Sequence, residues 1–266
     1  MQNFNYGFRV LEKPETSTAD QEGDKTYEWD IKPQGKVGTV VRAGNGLNVK
    51  ILCVEGTSGL GKTRMIDVLS GHKKVKPVCL DFFEFIRTRS AEEKEILNWT
   101  IKSSDPLMAC FYNDCLNHKM NEVIQNLPPG VEVVVSDRYK LSDIIYNLLF
   151  SFVKVGDKNL PTEDIVKKFK ARWEKYIGYT CKNYTRDLES YVIAIDSRSD
   201  EVLKRITDRN TPLDRAFIKI FENYPEVQSI IWAYVAKYLG LPLIDMRGGF
   251  ISSNIKNILI DCGFEL

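Results

Sequence analysis

The chain is poor in the residues that build metal sites and disulfide frameworks. It has 266 residues but only two histidines, His72 and His118, and none of its six cysteines forms a CxxC pair. We therefore expect neither a structural zinc site nor a disulfide framework, but buried thiols in a reducing compartment. A domain of this length buries enough apolar surface to fold without cross-links.

An excess of charge of one sign is also lacking. The 37 basic and 36 acidic residues leave a net charge of about +1, which does not suggest nucleic-acid coating or binding to a membrane surface. The first residues, MQNFNYGFRVLEKPET, lack the basic flank and apolar run of a signal peptide, and IIYNLLFSFV at 144–153 is too short to span a bilayer. We expect a soluble, cytoplasmic protein with no membrane or nucleic-acid partner.

Apolar runs and helical spacing alternate along most of the chain. Runs typical of strands buried on both faces of a parallel sheet occur at 49–55, 76–80, 131–135, 191–195 and 241–246. Between them, apolar residues recur at steps of four, as in Ile165, Phe169, Trp173 and Ile177. The alternation predicts an α/β fold with a mostly parallel sheet of about five strands flanked by helices. Residues 1–48 are mostly polar and predict a partly irregular extension, followed by one domain over 49–266.

A glycine-rich segment follows the first apolar run and reads EGTSGLGKT over 55–63. In a strand, loop and helix arrangement, backbone N–H groups and the helix N-terminus bind the oxygens of a polyphosphate. Lys62 is placed to bridge the β- and γ-phosphates of ATP, and the Thr63 hydroxyl to bind Mg²⁺. The predicted ATP-binding residues, in a fold of the P-loop NTPase type, are Gly56, Thr57, Ser58, Gly59, Leu60, Gly61, Lys62 and Thr63.

An Asp-Arg pair follows a second buried run, in VEVVVSDRYKLSDIIYN over 131–147. Open α/β sheets bind ligands at the carboxyl ends of their strands. Asp137 is therefore predicted to hold a Mg²⁺-bound water or to accept a proton, and Arg138 to clamp an acceptor phosphate through its planar guanidinium. The chain has no NKxD stretch of guanine-specific GTPases and no strand ending in the Asp-Glu pair of many mechanical ATPases, which favours a kinase.

Three segments resemble thymidylate kinases and the related deoxynucleoside kinases. DRYKLSDIIY over 137–146 is similar to the DRY-x-x-S-x-x-x-[YF] segment of thymidylate kinases, and the EG opening of the loop is close to that of deoxynucleoside kinases. YVIAIDSRSDEVLKRITDRNTPLDR over 191–215 resembles the strand and helix that lead into the ATP lid of both families. The resemblance implies catalytic roles for Arg205 and Arg209, in a lid at about 205–216, together with Lys62.

The resemblance extends to the acceptor side. Asp81 stands where deoxynucleoside kinases carry the glutamate that acts as base toward the 5′-hydroxyl, and Phe111 near the ring that stacks on thymine in thymidylate kinases. Two positions depart from the thymidylate kinase pattern, because Ser58 replaces the usual aspartate of the loop and no arginine follows Phe111 by a turn. The implied substrate contacts are Asp81, which is also a catalytic candidate, Arg87, Phe111, Asp114, Arg138 and Tyr139.

These features predict an ATP- and Mg²⁺-dependent kinase that phosphorylates a deoxynucleoside monophosphate, with dTMP favoured. Two alternatives stay open. The first is a deoxynucleoside kinase that phosphorylates a 5′-hydroxyl with Asp81 as base, and the second is a non-catalytic, nucleotide-binding member of the superfamily. The resemblance also implies a homodimer.

Overall fold

The structure is a computed structural model that describes residues 9–10, 29–30, 41–44, 46, 48–71, 73–79, 90–92, 95, 116, 118–154, 160–184, 189–196 and 198–246. Only short pieces of the predicted N-terminal extension are among them. Strand β1 (Arg9–Val10) pairs antiparallel with β2 (Trp29–Asp30), and β3 (Val41–Arg42) pairs antiparallel with the start of the next strand. The predicted boundary between extension and domain, near residue 48, stays a prediction.

A five-stranded parallel sheet lies at the centre of the domain. Its strands are β4 (Asn48–Gly56), β5 (Val75–Cys79), β6 (Val133–Asp137), β7 (Glu189–Ile195) and β8 (Leu243–Asp245). They are ordered β5-β6-β4-β7-β8, and each neighbouring pair is parallel. The prediction of a mostly parallel sheet of about five strands is confirmed, and β4, which leads into the glycine-rich loop, is its middle strand.

Six helices are bounded within the described ranges. They are α1 (Lys62–Ser70), α2 (Lys140–Lys154), α3 (Thr162–Tyr184), α4 (Ser199–Arg209), α5 (Pro212–Ile220) and α6 (Tyr224–Leu239). Residues 118–125 are helical as well. Over the part of the chain that is described, none of the helices has the length and hydropathy of a membrane span.

The side chains of the predicted helix at 165–177 explain how the helices pack. Ile165, Phe169 and Trp173 of α3 are fully buried, and the rings of Phe169 and Trp173 stack with their centroids 5.9 Å apart. Helix α3 packs on α6, which in turn contacts β7 and β4. The four-residue spacing thus identified the buried face of α3, while Ile177 lies in α3 but its side chain is outside the described set.

Strand β6 starts two residues later than predicted and ends two residues later. The turn before it contains Gly130, whose φ is 87°, and the Val131 N–H donates to the Pro128 carbonyl, so the chain is not yet extended at 131. At the other end, pairing with β4 continues until Asp137 lies opposite Val54. This register places Asp137 at the carboxyl edge of the sheet, beside the end of β4.

Candidate functional site

The glycine-rich loop connects the middle strand β4 to α1. Gly56, Gly59 and Gly61 have φ values of 124°, 80° and 83°, a region that favours glycine. A Cβ at Gly56 would lie 1.9 Å from the Ala194 carbonyl oxygen, and one at Gly59 would lie 2.9 Å from Cγ1 of Ile206. Backbone conformation therefore favours glycine at all three positions, and close packing also requires it at Gly56 and Gly59. The segment has the strand, loop and helix geometry of a phosphate-binding loop.

Lys62 is the first residue of α1 and lies against the loop. Its ammonium donates to the carbonyl oxygens of Thr57 at 2.5 Å and Gly56 at 3.3 Å, and the residue is only 6% exposed. Burial lowers the pKa of Lys62 well below its ordinary value, and the charge of Arg138 lowers it further against the opposing effect of Asp137. The hydrogen bonds of Lys62 among the described residues go to carbonyl oxygens, and a polyphosphate in the loop would place an anion in direct contact with this desolvated ammonium.

Thr63 and Asp137 meet across the carboxyl edge of the sheet. The Thr63 hydroxyl donates to the Asp137 carboxylate at 2.6 Å. Among the described residues no group of three or more His, Cys, Asp or Glu is arranged to hold a metal. Mg²⁺ needs only one or two protein oxygens when phosphates and water complete its shell. A hydroxyl and a carboxylate beside a phosphate-binding loop therefore fit the predicted Mg²⁺ site.

Arg138 follows β6 and turns back toward the loop. Its φ is 66°, a left-handed conformation that costs a residue other than glycine about 1–2 kcal/mol. The guanidinium donates to the Gly56 carbonyl at 3.2 Å and to the Ser142 hydroxyl at 2.9 Å, and it lies 5.0 Å from the centre of the Tyr146 ring. The arginine predicted to clamp an acceptor phosphate is thus placed beside the first glycine of the loop.

A buried carboxylate that was not predicted as a site residue lies next to Arg138. Glu55 accepts hydrogen bonds from the Tyr139 N–H at 2.8 Å, the Ser142 N–H at 3.3 Å and the Ser142 hydroxyl. Burial raises the pKa of Glu55, and the bonds from Ser142 and the charge of Arg138 only partly offset this rise. Each residue belongs to a segment that the sequence analysis singled out, since Glu55 opens the loop segment and Ser142 is the serine of DRYKLS, but their contact across 87 positions has no local signal.

Arg209, the last residue of α4, connects the end of that helix to the loop. Its guanidinium donates to the Ser58 hydroxyl at 2.5 Å and to the carboxylate of Asp214. The Asp214 side chain is only 3% exposed and also accepts from the Thr211 hydroxyl at 2.6 Å, which itself caps α5. The segment predicted as a lid therefore ends one helix and begins the next, with Arg209 in contact with the loop.

Ser58 is held from a second side by α6. Its N–H donates to the side-chain oxygen of Gln228 at 2.9 Å, and the same oxygen accepts from the Tyr146 hydroxyl at 3.1 Å. Gln228 is fully buried. The residue that replaces the expected aspartate is thus fixed by the backbone bond to Gln228 and by the side-chain bond to Arg209.

Arg205 has different neighbours from Arg209, although the two arginines are four positions apart in α4 and residues at that spacing share a helix face. Its guanidinium lies 2.8 Å from Glu201 and 3.5 Å from the buried carboxylate of Asp196, which also forms a two-pronged pair with Arg198. Arg205 is near the loop, because a Cβ on Gly59 would lie 3.7 Å from its Cβ. In this structure its charge is directed to Asp196 and Glu201, and its action on ATP stays a prediction.

The remaining predicted contacts concern the acceptor. Tyr139 is buried in the core, with the Lys140 ammonium 4.8 Å from the centre of its ring. Its contact with a substrate stays a prediction. Four further predicted residues lie outside the described part of the chain, and their roles also stay predictions: Asp81, Arg87, Phe111 and Asp114.

The fold and the loop together define a P-loop α/β protein, with a middle parallel strand, a glycine-rich turn and a helix that begins with Lys-Thr. No family model matches the chain, and no curated protein matches it. Among solved structures it is similar to a deoxyadenosine kinase from M. mycoides with bound dATP, at 14% identity and a TM-score of 0.46, covering 81% of this chain and 100% of that one.

The same kinase in two other complexes gives similar values. With the products dCMP and dCDP the identity is 13% and the TM-score 0.44, covering 79% of this chain and 97% of that one. With bound dCTP the identity is 13% and the TM-score 0.44, covering 80% of this chain and 98% of that one. Values this low support no inference about this chain, whose fold class is established by its own sheet and loop.

Proposed function

We propose that this protein is an ATP-dependent kinase that transfers the γ-phosphoryl group to a deoxynucleoside monophosphate, with dTMP as the favoured acceptor. The observation that supports this function is the convergence of three cations on one loop. Lys62 contacts the carbonyls of Gly56 and Thr57, Arg138 contacts Gly56, and Arg209 contacts Ser58. Phosphoryl transfer depends mainly on positioning and on stabilising the negative charge of the moving group, which such a set of cations would do.

Each cation has a distinct place in this proposal. Lys62 and the loop N–H groups hold the donor phosphates, and Arg138, which also contacts the Gly56 carbonyl, binds the acceptor phosphate. Thr63 and Asp137 hold Mg²⁺, which neutralises phosphate charge when bound. Arg209 lies at the end of α4 and covers the donor phosphates as part of a lid, to which Arg205, one turn earlier in the same helix, also belongs.

The contacts of Arg138 favour a phosphorylated acceptor. Among the described residues its hydrogen bonds go to neutral oxygens, the Gly56 carbonyl and the Ser142 hydroxyl. Although the nearby Asp137 and Glu55 carboxylates compensate part of its charge, the guanidinium makes no direct ion pair among these hydrogen bonds, and it would bind a phosphate through two parallel hydrogen bonds.

A second candidate is a deoxynucleoside kinase, and the surroundings of Ser58 favour it. Arg209 is paired with the buried carboxylate of Asp214, so part of the positive charge near Ser58 is already compensated. Ser58 itself is neutral where thymidylate kinases carry an aspartate. A neutral 5′-hydroxyl is compatible with this side of the loop, and Asp81 would then serve as base.

A substrate panel separates the two candidates. The purified full chain would be incubated with ATP, Mg²⁺ and one nucleoside or nucleoside monophosphate at a time, with ADP release and product mass recorded. Conversion of dTMP to dTDP supports the proposed function, while turnover of thymidine without turnover of dTMP overturns it in favour of the second candidate. If no acceptor reacts but calorimetry shows ATP binding that Lys62→Ala abolishes, the protein is a non-catalytic nucleotide binder.

A further inference from the structure

Two residues of the segments that carry the family resemblance have no role in the transfer described above. Glu55 opens the loop segment, and Ser142 belongs to DRYKLS, 87 positions away. The structure brings them together, because the Ser142 hydroxyl donates to the Glu55 carboxylate. Both residues are buried, Glu55 completely. A carboxylate is costly to bury and is tolerated only where hydrogen bonds compensate its lost hydration.

The hydrogen bonds continue from Ser142 to Arg138. The Ser142 hydroxyl accepts from the Arg138 guanidinium at 2.9 Å, and the same guanidinium nitrogen donates to the Gly56 carbonyl at 3.2 Å. A serine hydroxyl has one proton and two lone pairs. Because the Ser142 hydroxyl donates its hydrogen bond to Glu55, its oxygen lone pairs are free to accept from the Arg138 guanidinium. The carboxylate thereby fixes the serine as an acceptor.

Glu55 also fixes the backbone just after Arg138. One of its oxygens accepts from the N–H groups of Tyr139 and Ser142 at the start of α2, where a helix needs acceptors from outside its own backbone. Arg138 itself adopts a φ of 66°. A strained conformation of this kind persists where the surrounding contacts determine it, and such positions cluster at functional sites.

We infer that Glu55 and Ser142 are positioning residues that hold the Arg138 guanidinium against the first glycine of the loop. Ser142 orients the guanidinium directly, and Glu55 acts through Ser142 and through the start of α2. The inference rests on the proposed function in assigning Arg138 to the acceptor phosphate. Glu55, the first residue of the donor loop segment, would then determine where the Arg138 guanidinium lies on the acceptor side.

The test compares Ser142→Ala, which removes the oxygen, with Ser142→Thr, which keeps a hydroxyl. Displacing a binding group by about 1 Å can cost 10²-fold in rate. For the acceptor that reacts in the panel, we expect kcat/KM to fall by about 10- to 100-fold in Ser142→Ala, with the KM for ATP within about twofold of wild type. Ser142→Thr is expected to recover most of this loss.

A double-mutant cycle shows whether the serine acts through Arg138. In an Arg138→Ala background, Ser142→Ala is expected to add less than about a twofold further loss, since the group it positions is already gone. If the two losses multiply instead, or if Ser142→Ala lowers Tm while kcat/KM per folded molecule is unchanged, the serine only stabilises the fold and the inference is wrong.

Crystal structures of Ser142→Ala and Ser142→Thr give a result that does not need activity. We expect the Arg138 guanidinium to leave the Gly56 carbonyl in the alanine variant and to keep this contact in the threonine variant. An unchanged arginine in Ser142→Ala would overturn the inference even if the wild type is an active kinase. Conversely, a wild type that phosphorylates no acceptor would overturn the proposed function, while the two crystal structures would still decide the positioning of Arg138.

Discussion

Arg209→Ala should affect both stability and catalysis, by amounts that the structure allows to be separated. The substitution removes the ion pair with Asp214, whose side chain is 3% exposed, and the bond to the Ser58 hydroxyl. Removing one partner of a buried pair costs about 3–5 kcal/mol. Asp214 keeps its bond from Thr211, and the Arg209 side chain is 45% exposed, so solvent screens this pair. We therefore expect a loss of about 1–2 kcal/mol, or a fall in Tm of about 2–8 °C.

The expected catalytic loss is much larger. An arginine that stabilises the charge of a transferring phosphoryl group is worth about 10³-fold or more in kcat. We expect Arg209→Ala to lower kcat by about this factor, with a smaller change in the KM for ATP. Arg209→Lys, which keeps the positive charge but loses the planar guanidinium, should have a kcat between those of wild type and Arg209→Ala.

Thermal unfolding and steady-state kinetics on the same preparations measure both effects. Lys204→Ala is the matched control, because it removes an exposed cation from the same helix, and no change beyond about twofold is expected from a surface substitution of this kind. If Arg209→Ala lowers Tm as expected but leaves kcat within about threefold of wild type, Arg209 is a structural partner of Asp214 and its assignment to the phosphates is wrong.

Three further results are expected. The free energy of unfolding of Gly56→Ala, measured in urea, should fall by more than about 3 kcal/mol, or the variant should fail to fold, because the new Cβ would clash with the β7 backbone. In Gly61→Ala the new Cβ has nothing within 4 Å, so the free energy of unfolding should fall by only about 1–2 kcal/mol. Thr63→Val should raise the Mg²⁺ concentration for half-maximal activity about 10-fold or more, with Thr63→Ser near wild type. Because burial raises the pKa of Glu55, the folded state binds its proton more tightly than the unfolded chain. The stability of wild type relative to Glu55→Gln should therefore fall as pH rises from about 4.3 through the folded pKa and then level off; a constant difference from pH 5 to 8 would contradict this shift.

The strands could be predicted from sequence because their signal is local. A strand buried on both faces must be apolar at successive positions, and β4 is buried from Ile51 to Gly56. The order of the strands could not be predicted in this way. It depends on which strand pairs with which, and β4 lies between β6 and β7, strands that come later in the chain.

The same distinction between local and long-range signals decides which parts of the site could be predicted. The glycine-rich loop and the Asp137-Arg138 pair were identified because each is a short pattern beside a strand. The bond between Glu55 and Ser142 spans 87 positions and that between Ser58 and Gln228 spans 170, so neither has a local signal. Arg205 shows the limit of helical spacing, which predicts a shared face but not the carboxylates of Asp196 and Glu201 that hold this side chain.

Transfer of labelled γ-phosphoryl from ATP to dTMP tests the central claim most directly. The wild-type chain and Lys62→Ala would be incubated separately with γ-labelled ATP, Mg²⁺ and dTMP, and the nucleotides separated. We expect labelled dTDP from the wild type and none from Lys62→Ala. Absence of label in dTDP, with thymidine and the other nucleosides and monophosphates also unlabelled, would contradict the assignment of this protein as a kinase.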